Sequence, residues 1–164
     1  MKRTATAGFS LPELMVVLVI GSIIAASAGP KFMGLLRDAQ MESAANEIAV
    51  SMRGARAKAI SQGNDFVWSF ADSGNTYSAY DDDNEDGTLD VGETEYGPVA
   101  LPASLTLVSS TVAGNSVTFQ SLGNAAAGGV LTFGDGRGAV ILVTVEAATG
   151  NVVVSNRRAA ADAS

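Results

Sequence analysis

The sequence predicts an α+β chain in which one long N-terminal helix, half apolar and half amphipathic, packs on antiparallel β-sheets. Three observations predict it. Residues 9–29 carry a single charge, Glu13, in 21 positions. Between Met41 and Ala59 apolar residues recur at spacings of three and four, which is one helical face. From Asp65 onward the pattern changes to short alternating or β-branched runs separated by turn residues. A length of 164 residues suits one domain with an appendage. Charged residues are only 16% of the chain, yet the net charge is −7 and the mean hydropathy +0.24, so one very apolar segment must coexist with one polar domain. The chain has no Cys and no His. That excludes a disulfide framework, zinc–thiolate sites, thiol nucleophiles, Ser-His-Asp catalysis and His acid–base chemistry.

The N-terminus reads as an address and an anchor. Residues 1–8 are basic through Lys2 and Arg3 and end in Gly8. As a helix, the apolar segment that follows would be about 31 Å long, enough to cross a bilayer core. Lys2 and Arg3 on its near side put the N-terminus in the cytoplasm and the rest of the chain outside the inner membrane. Ala25-Ala26-Ser27-Ala28 could serve as the cleavage site of an ordinary secretory signal. Against that, the polar-to-apolar switch lies at Gly8-Phe9, and Glu13 follows it closely. A carboxylate in a membrane helix is costly unless partnered, so Glu13 is a candidate functional residue.

The run Gly8-Phe9-Ser10-Leu11-Pro12-Glu13-Leu14-Met15 closely resembles the class III signal of type IV pilins and type II secretion pseudopilins. The resemblance implies that a prepilin peptidase cuts between Gly8 and Phe9 and methylates Phe9. It also implies that Glu13 pairs with the N-terminal amine of a neighbouring subunit in a helical filament. The physics agrees, because a lone buried carboxylate seeks a cation. Pro12 sits in the first turn, where proline is tolerated. Pro30 lies where pilin helices often carry a break, and is expected to kink or locally melt the helix.

Past Pro30 the helix becomes one-sided. Met41, Ala44, Ala45, Ile48, Met52, Ala55 and Ala59 form its stripe, which runs to about Ser61 and stops at Gly63-Asn64. Arg53, Arg56 and Lys58 read as a solvated face, with an anionic-lipid or nucleic-acid patch as the alternative. The strands expected beyond are Asp65–Ala71, Thr76–Asp81, Glu95–Leu101, Leu105–Ser109, Ser116–Gln120, Val130–Phe133, Ala139–Glu146 and Asn151–Ser155. In the first of them Phe66, Trp68 and Phe70 alternate with Val67 and Ser69, so some are expected to face outward; core or edge packing is expected, with an interface as the alternative.

The closing run from Val117 through Gly123, Ile141–Val145 and Thr149-Gly150-Asn151-Val152-Val153-Val154-Ser155 resembles the C-terminal pattern of the GspH/FimT family. That resemblance implies a pilin-like fold with a two-sheet β domain. The family often has Gly-Arg after the Thr, where this chain has Gly150-Asn151. The departure weakens any role the resemblance implies for a basic residue there.

Residues 63–156 hold twelve acids against the single base Arg137, a balance of −11. Such a surface repels phosphate backbones and suits a cation or a basic protein. Within it, Asp82 through Glu93 matches a twelve-residue calcium loop at every ligand position: Asp82, Asn84, Asp86, the Thr88 carbonyl, Asp90 and a closing Glu93, with Gly87 at the turn. All these donors are hard oxygens. The flanking strands exclude an EF-hand, and an acidic, solvated hairpin tip is the alternative reading. Without a cation the crowded carboxylates should leave the loop mobile. Arg157 and Arg158 precede a small-residue tail and could touch DNA phosphates or simply solvate the terminus.

The expected organisation is a leader at 1–8, a transmembrane and filament-core helix at 9–29, an amphipathic stem at 30–62, a periplasmic β domain at 63–156 and a flexible tail at 157–164. The expected function is that of a minor pseudopilin in a type II secretion pseudopilus. It is a structural subunit and not an enzyme, with no required cofactor and Ca2+ as the one candidate. Its partners would be other pilins or pseudopilins, the prepilin peptidase, an inner-membrane platform and the membrane, with nucleic acid unlikely on charge. Two alternatives stand beside it: a FimT-like minor pilin of a type IV pilus, and a membrane-anchored calcium-binding module that never assembles.

Overall fold

The computed structural model describes residues 9–71, 75–102 and 105–158, with the side chains of 27–31 and 156–158 outside the described set. Helix α1 spans Leu11–Gln62. Eight strands follow: β1 (Asp65–Ala71), β2 (Thr76–Asp82), β3 (Glu95–Ala100), β4 (Thr106–Ser110), β5 (Ser116–Phe119), β6 (Gly129–Gly134), β7 (Ala139–Val145) and β8 (Val152–Arg158). They form two antiparallel four-stranded sheets, ordered β3-β2-β1-β5 and β4-β6-β7-β8. The fold is the expected α+β one, a long N-terminal helix with a two-sheet β domain. The chain divides into two units, one ending at Ala39 and the other beginning at Gln40.

In the first unit the helix begins with one half of a capping box, the Glu13 side chain reaching back to Ser10. The Ser10 amide and hydroxyl both donate to Glu13 Oε2 at 3.4 Å, and Leu14 N donates to Ser10 O at 3.2 Å. The Glu13 carboxylate thereby gives the Ser10 amide a partner at a helix start that leaves its first amides without any. Helix α1 continues through Pro30 without interruption. Proline removes one donor, and the surrounding hydrogen bonds carry the helix past it, so the expected local melting does not occur.

In the second unit the predicted stripe is the buried one. Met41, Ala44, Ala45, Ile48, Met52, Ala55 and Ala59, joined by Ala49, are at most 4% exposed. With alanine at most of these positions, the helix leaves room for the larger side chains of both sheets. It packs on Phe66, Trp68, Phe70, Val117 and Phe119 of one sheet and Leu131, Phe133, Ile141, Val143, Val145 and Val152 of the other, in a single core. Phe70 meets Phe133 edge-on at 5.6 Å across the two sheets. Phe66, Trp68 and Phe70, two residues apart, all face this core, and Val67 is buried on the opposite face. The expectation that some of these aromatics face outward is thereby corrected.

The core's polar seam is local. Trp68 Nε1 donates to Ser51 Oγ at 2.6 Å, and Tyr77 OH donates to Glu47 Oε1 at 3.2 Å. Burial first, then the charge and hydrogen bond of Glu47, push the Tyr77 phenol from 10.0 up to about 12. A raised phenol pKa favours the protonated, folded form. Its contribution to stability is whole below pH 10 and is lost as pH rises through about 12. Tyr77→Phe should therefore flatten this part of the alkaline denaturation curve, which circular dichroism against pH would show.

Candidate functional site

Three regions carry the candidate residues. The first is the start of α1. Phe9 is 81% exposed, and Leu11, Leu14, Met15, Val16, Val17, Leu18, Val19, Ile20, Ile23 and Ile24 are exposed all round the helix. A helix apolar on every side is built for burial in lipid or among other helices. Glu13 is the only ionisable side chain among the described residues of this stretch, and in the single chain it accepts from Ser10 at its own helix start. Among the described residues no helix is long and apolar enough to cross a membrane. Gly8 lies outside the described residues.

The second region is the loop Asp82–Glu93 between β2 and β3. Tight turns bring its acids back on themselves, with Glu85 at φ 59 and Gly87 at φ 78. Asp82 is 1% exposed and accepts from the Asp86 amide at 3.0 Å and the Gly87 amide at 2.8 Å. Asp86 accepts from the Thr88 hydroxyl at 2.6 Å and the Thr88 amide at 2.8 Å. These bonds, with one from Asn84, hold the Asp86 carboxyl below its usual range. Asn84 Nδ2 also donates to Asp90 Oδ2 at 3.0 Å. Glu93 accepts from the Asp83 amide at 3.2 Å and the Asp90 amide at 2.8 Å. Tyr80 OH anchors the turn by donating to Gly87 O at 2.8 Å, and burial together with Asp82, Glu93 and Asp86 raises its pKa.

The donor chemistry of this loop suits a hard cation, but its geometry spends the carboxylates on backbone N–H groups. Among the described residues no three acidic side chains are gathered so as to hold a metal ion. The loop that sequence reading expected to be mobile without a cation is thus tied together by its own amides.

The third region is the C-terminal end. β8 runs to Arg158, with Arg157 opposite Val140 and Arg158 opposite Ala139. The backbone of Arg157 and Arg158 is therefore strand, not the flexible tail expected from 157 onward, because β7 offers them two more positions to pair with. Their side chains, and residues 159–164, lie outside the described residues. Before β8, Gly150 has φ 63, and a Cβ there would meet Gly123 O at 2.3 Å, so the turn admits only glycine.

The sequence missed the work of the basic residues on α1. Arg53 Nη2 donates to Val152 O and Arg56 Nε to Gly123 O, each at 2.7 Å, and Lys58 lies over the Tyr96 ring. They tie the helix to β8, to the turn at Gly123 and to β3, while Arg53 stays exposed and Arg56 and Lys58 half-buried, as part of the expected solvated face. Nothing in their local spacing shows partners that lie 99 and 67 residues away.

Comparison with known proteins bears on all three regions. The sequence model of a family described as type II transport protein GspH matches residues 44–156, and that of the prokaryotic N-terminal methylation motif matches residues 3–29. No curated protein matches the chain. The type IV minor pilin FimU of Pseudomonas aeruginosa strain PAO1, in a crystal form of space group P21, is similar in structure. Its TM-score is 0.58 at 16% identity, covering 74% of this chain and 96% of that one. The minor pseudopilin EpsH from the type 2 secretion system of Vibrio cholerae has a TM-score of 0.54 at 15% identity, covering 71% of this chain and 97% of that one.

Proposed function

The chain belongs to the GspH family of minor pseudopilins and minor pilins, and from that premise we propose that it is a minor pseudopilin of a type II secretion pseudopilus. The match to type II transport protein GspH across residues 44–156 is the observation that supports this reading most. The protein is a structural subunit that carries out no chemistry. Prepilin peptidase removes residues 1–8, and the apolar start of α1 holds the chain in the inner membrane with the β domain in the periplasm. Glu13 leaves its own cap to pair with the N-terminal amine of a neighbouring subunit during assembly. An inner-membrane platform and its energy source drive the filament, and the β domain faces other subunits.

The alternative within the same family is a FimT-like minor pilin of a type IV pilus. The fold is shared with FimU as well as EpsH, so it does not separate the two. The −11 balance of residues 63–156 weighs against DNA as a partner. A clean deletion scored in parallel for exoprotein secretion and for surface piliation with DNA uptake separates them. Lost secretion with intact pili is expected. Lost pili or DNA uptake with intact secretion would replace the proposal with the pilus reading and bring Arg157 and Arg158 forward.

Calcium uptake by the loop is a separate proposal, supported by its donor pattern alone. It requires Asp82, Asp86 and Glu93 to exchange backbone N–H partners for the cation. Calcium that raises the melting temperature of the wild type, but not of the Asp86→Ala, Glu93→Ala double variant, is the expected result. A wild-type melting temperature indifferent to both calcium and chelator removes the proposal, and with it the non-assembling calcium module.

A further inference from the structure

The two sheets leave four edge strands, β3, β5, β4 and β8. Three of them are blunted. β3 carries Pro98, which has no N–H to offer, and its register with β2 shifts between Tyr77 and Ala79. β4 is irregular between Leu107 and Ser109. β5 has only four residues, and the chain at Ala125 and Ala126 already pairs beside it, the Ala126 amide donating to Thr118 O at 2.9 Å. β8 differs from all three. Its seven residues lie in unbroken antiparallel register with β7, and none is proline. It opens with Val152-Val153-Val154, β-branched residues that suit a strand.

The pairing fixes which backbone groups of β8 are free. In an antiparallel ladder, bonded and unbonded pairs alternate. The Glu146 amide donates to Asn151 O at 2.9 Å, so the next pair, Val145–Val152, is unbonded. Thr144–Val153 is then bonded, and Val143–Val154 and Ile141–Asn156 are unbonded. The N–H and C=O groups of Val152, Val154 and Asn156 therefore point away from β7. Arg53 bears this out at the first of them, because its Nη2 reaches Val152 O from the helix at 2.7 Å. Among the described residues nothing meets the Val154 amide or carbonyl.

Charge marks the same edge. From Gln40 onward the chain holds six Lys and Arg, and four of them lie along β8. Arg53 stands on Val152 O and Arg56 beside Gly150, before the strand, and Arg157 and Arg158 end it. From Ala139 to Arg158 the one acid is Glu146, whereas Asp81 to Glu95 holds eight acids and no base. The open edge is thus the basic side of an acidic domain, and it favours an acidic occupant. Its middle is aliphatic: Val153 is 48% exposed, and Val50, one turn before Arg53 on α1, is 63% exposed. We propose that β8 pairs with an extended, acidic segment of another protein, which adds a fifth strand to β4-β6-β7-β8. Its backbone bonds to Val154 and Asn156, its uncharged centre lies along Val152–Ser155, and its acids face Arg53 at one end and Arg157 at the other. The proposal goes beyond the family role and holds for either secretion or pilus assembly.

The test uses the full-length chain in detergent and a blocked peptide, Asp-Glu-Val-Thr-Val-Thr-Val-Glu-Asp, with a counterpart that has lysine at every acidic position. The acidic peptide should bind about tenfold more tightly than the basic one. It should slow amide hydrogen exchange about tenfold at Val154 and Asn156, while Val153 and Ser155, already bonded to β7, change little. Val154→Pro removes only an outward N–H, which an edge strand tolerates, so it should fold and lose about tenfold in affinity. Val153→Pro breaks a ladder bond and should lower the melting temperature instead. Arg157→Glu with Arg158→Glu should weaken the acidic peptide about tenfold and favour the basic one. Equal binding of the two peptides to the wild type, or unprotected Val154 and Asn156 amides, would overturn the proposal whether or not Val154→Pro folds. Protection of those amides in the chain alone would put a second copy on the edge and overturn it too. So would duplex DNA that displaces the peptide and binds wild type and Val154→Pro alike, which would make the arginines a phosphate site.

Discussion

Trp68→Ala is expected to destabilise the folded chain by about 3–5 kcal/mol, the usual cost of emptying a large buried aromatic site. Trp68 is 0% exposed and central to the core that α1 shares with both sheets. Its ring stacks on Tyr77 at 5.7 Å, and its Nε1 donates to Ser51 on the helix. Most of the helix residues in this core are alanines, whose methyl groups cannot extend into the hole. Alanine at 68 also leaves Ser51 Oγ without its donor. Against a total stability of about 5–15 kcal/mol, the loss corresponds to a fall in melting temperature of roughly 10–20 °C. Trp68→Phe, which keeps most of the volume but loses the N–H and part of the bicyclic ring, should cost less, about 1–2 kcal/mol. Thermal unfolding of the full chain in detergent measures both. Equal losses for the two variants would mean that the hydrogen bond to Ser51, and not ring burial, joins helix to sheet.

Glu13→Ala is expected to leave that melting transition where it is while abolishing assembly. In the single chain Glu13 only closes the helix cap through two long bonds from Ser10. Losing such a cap costs about 1 kcal/mol locally, in a unit separate from the core. In the filament the same carboxylate is proposed to neutralise a neighbour's N-terminal amine in an apolar layer. An unpartnered charge there costs about 2.5–3.5 kcal/mol, which is roughly a hundredfold loss in incorporation. Glu13→Gln should behave like alanine, since an amide carries no charge, whereas Glu13→Asp should recover part of the function. Immunoblotting of sheared filament fractions against membrane fractions reads the difference. A chain that works equally well with alanine at 13 would favour the non-assembling anchor.

Most of the architecture was legible in the sequence because it rests on periodicity. The stripe from Met41 to Ala59 is buried as its spacing required, and all eight strands lie where alternation and turn residues marked them. The strand limits moved only where pairing decided them, as when β7 drew β8 out to Arg158. Less legible was anything that depends on partners far apart in the chain. Arg53 and Arg56 look like surface charges until the carbonyls of Val152 and Gly123 arrive beside them. Lys58 and Tyr96 belong to different elements, and only the folded edge of the first sheet makes a cleft of them. The acidic loop shows a subtler limit. Its spacing fits a cation, but the same oxygens at the same spacing also suit the loop's own amides, and spacing does not distinguish the two.

The most direct measurement is the intact mass and N-terminal sequence of the chain recovered from the inner membrane. Processing as a pilin-like subunit gives a chain that begins at N-methylated Phe9 and holds 156 of the 164 residues, and substitution of Gly8 leaves the full length uncut. A chain that still begins at Phe9 in the Gly8 variant, or that begins after the small residues near Ala28 in the wild type, would contradict pilin-like processing and with it the filament role.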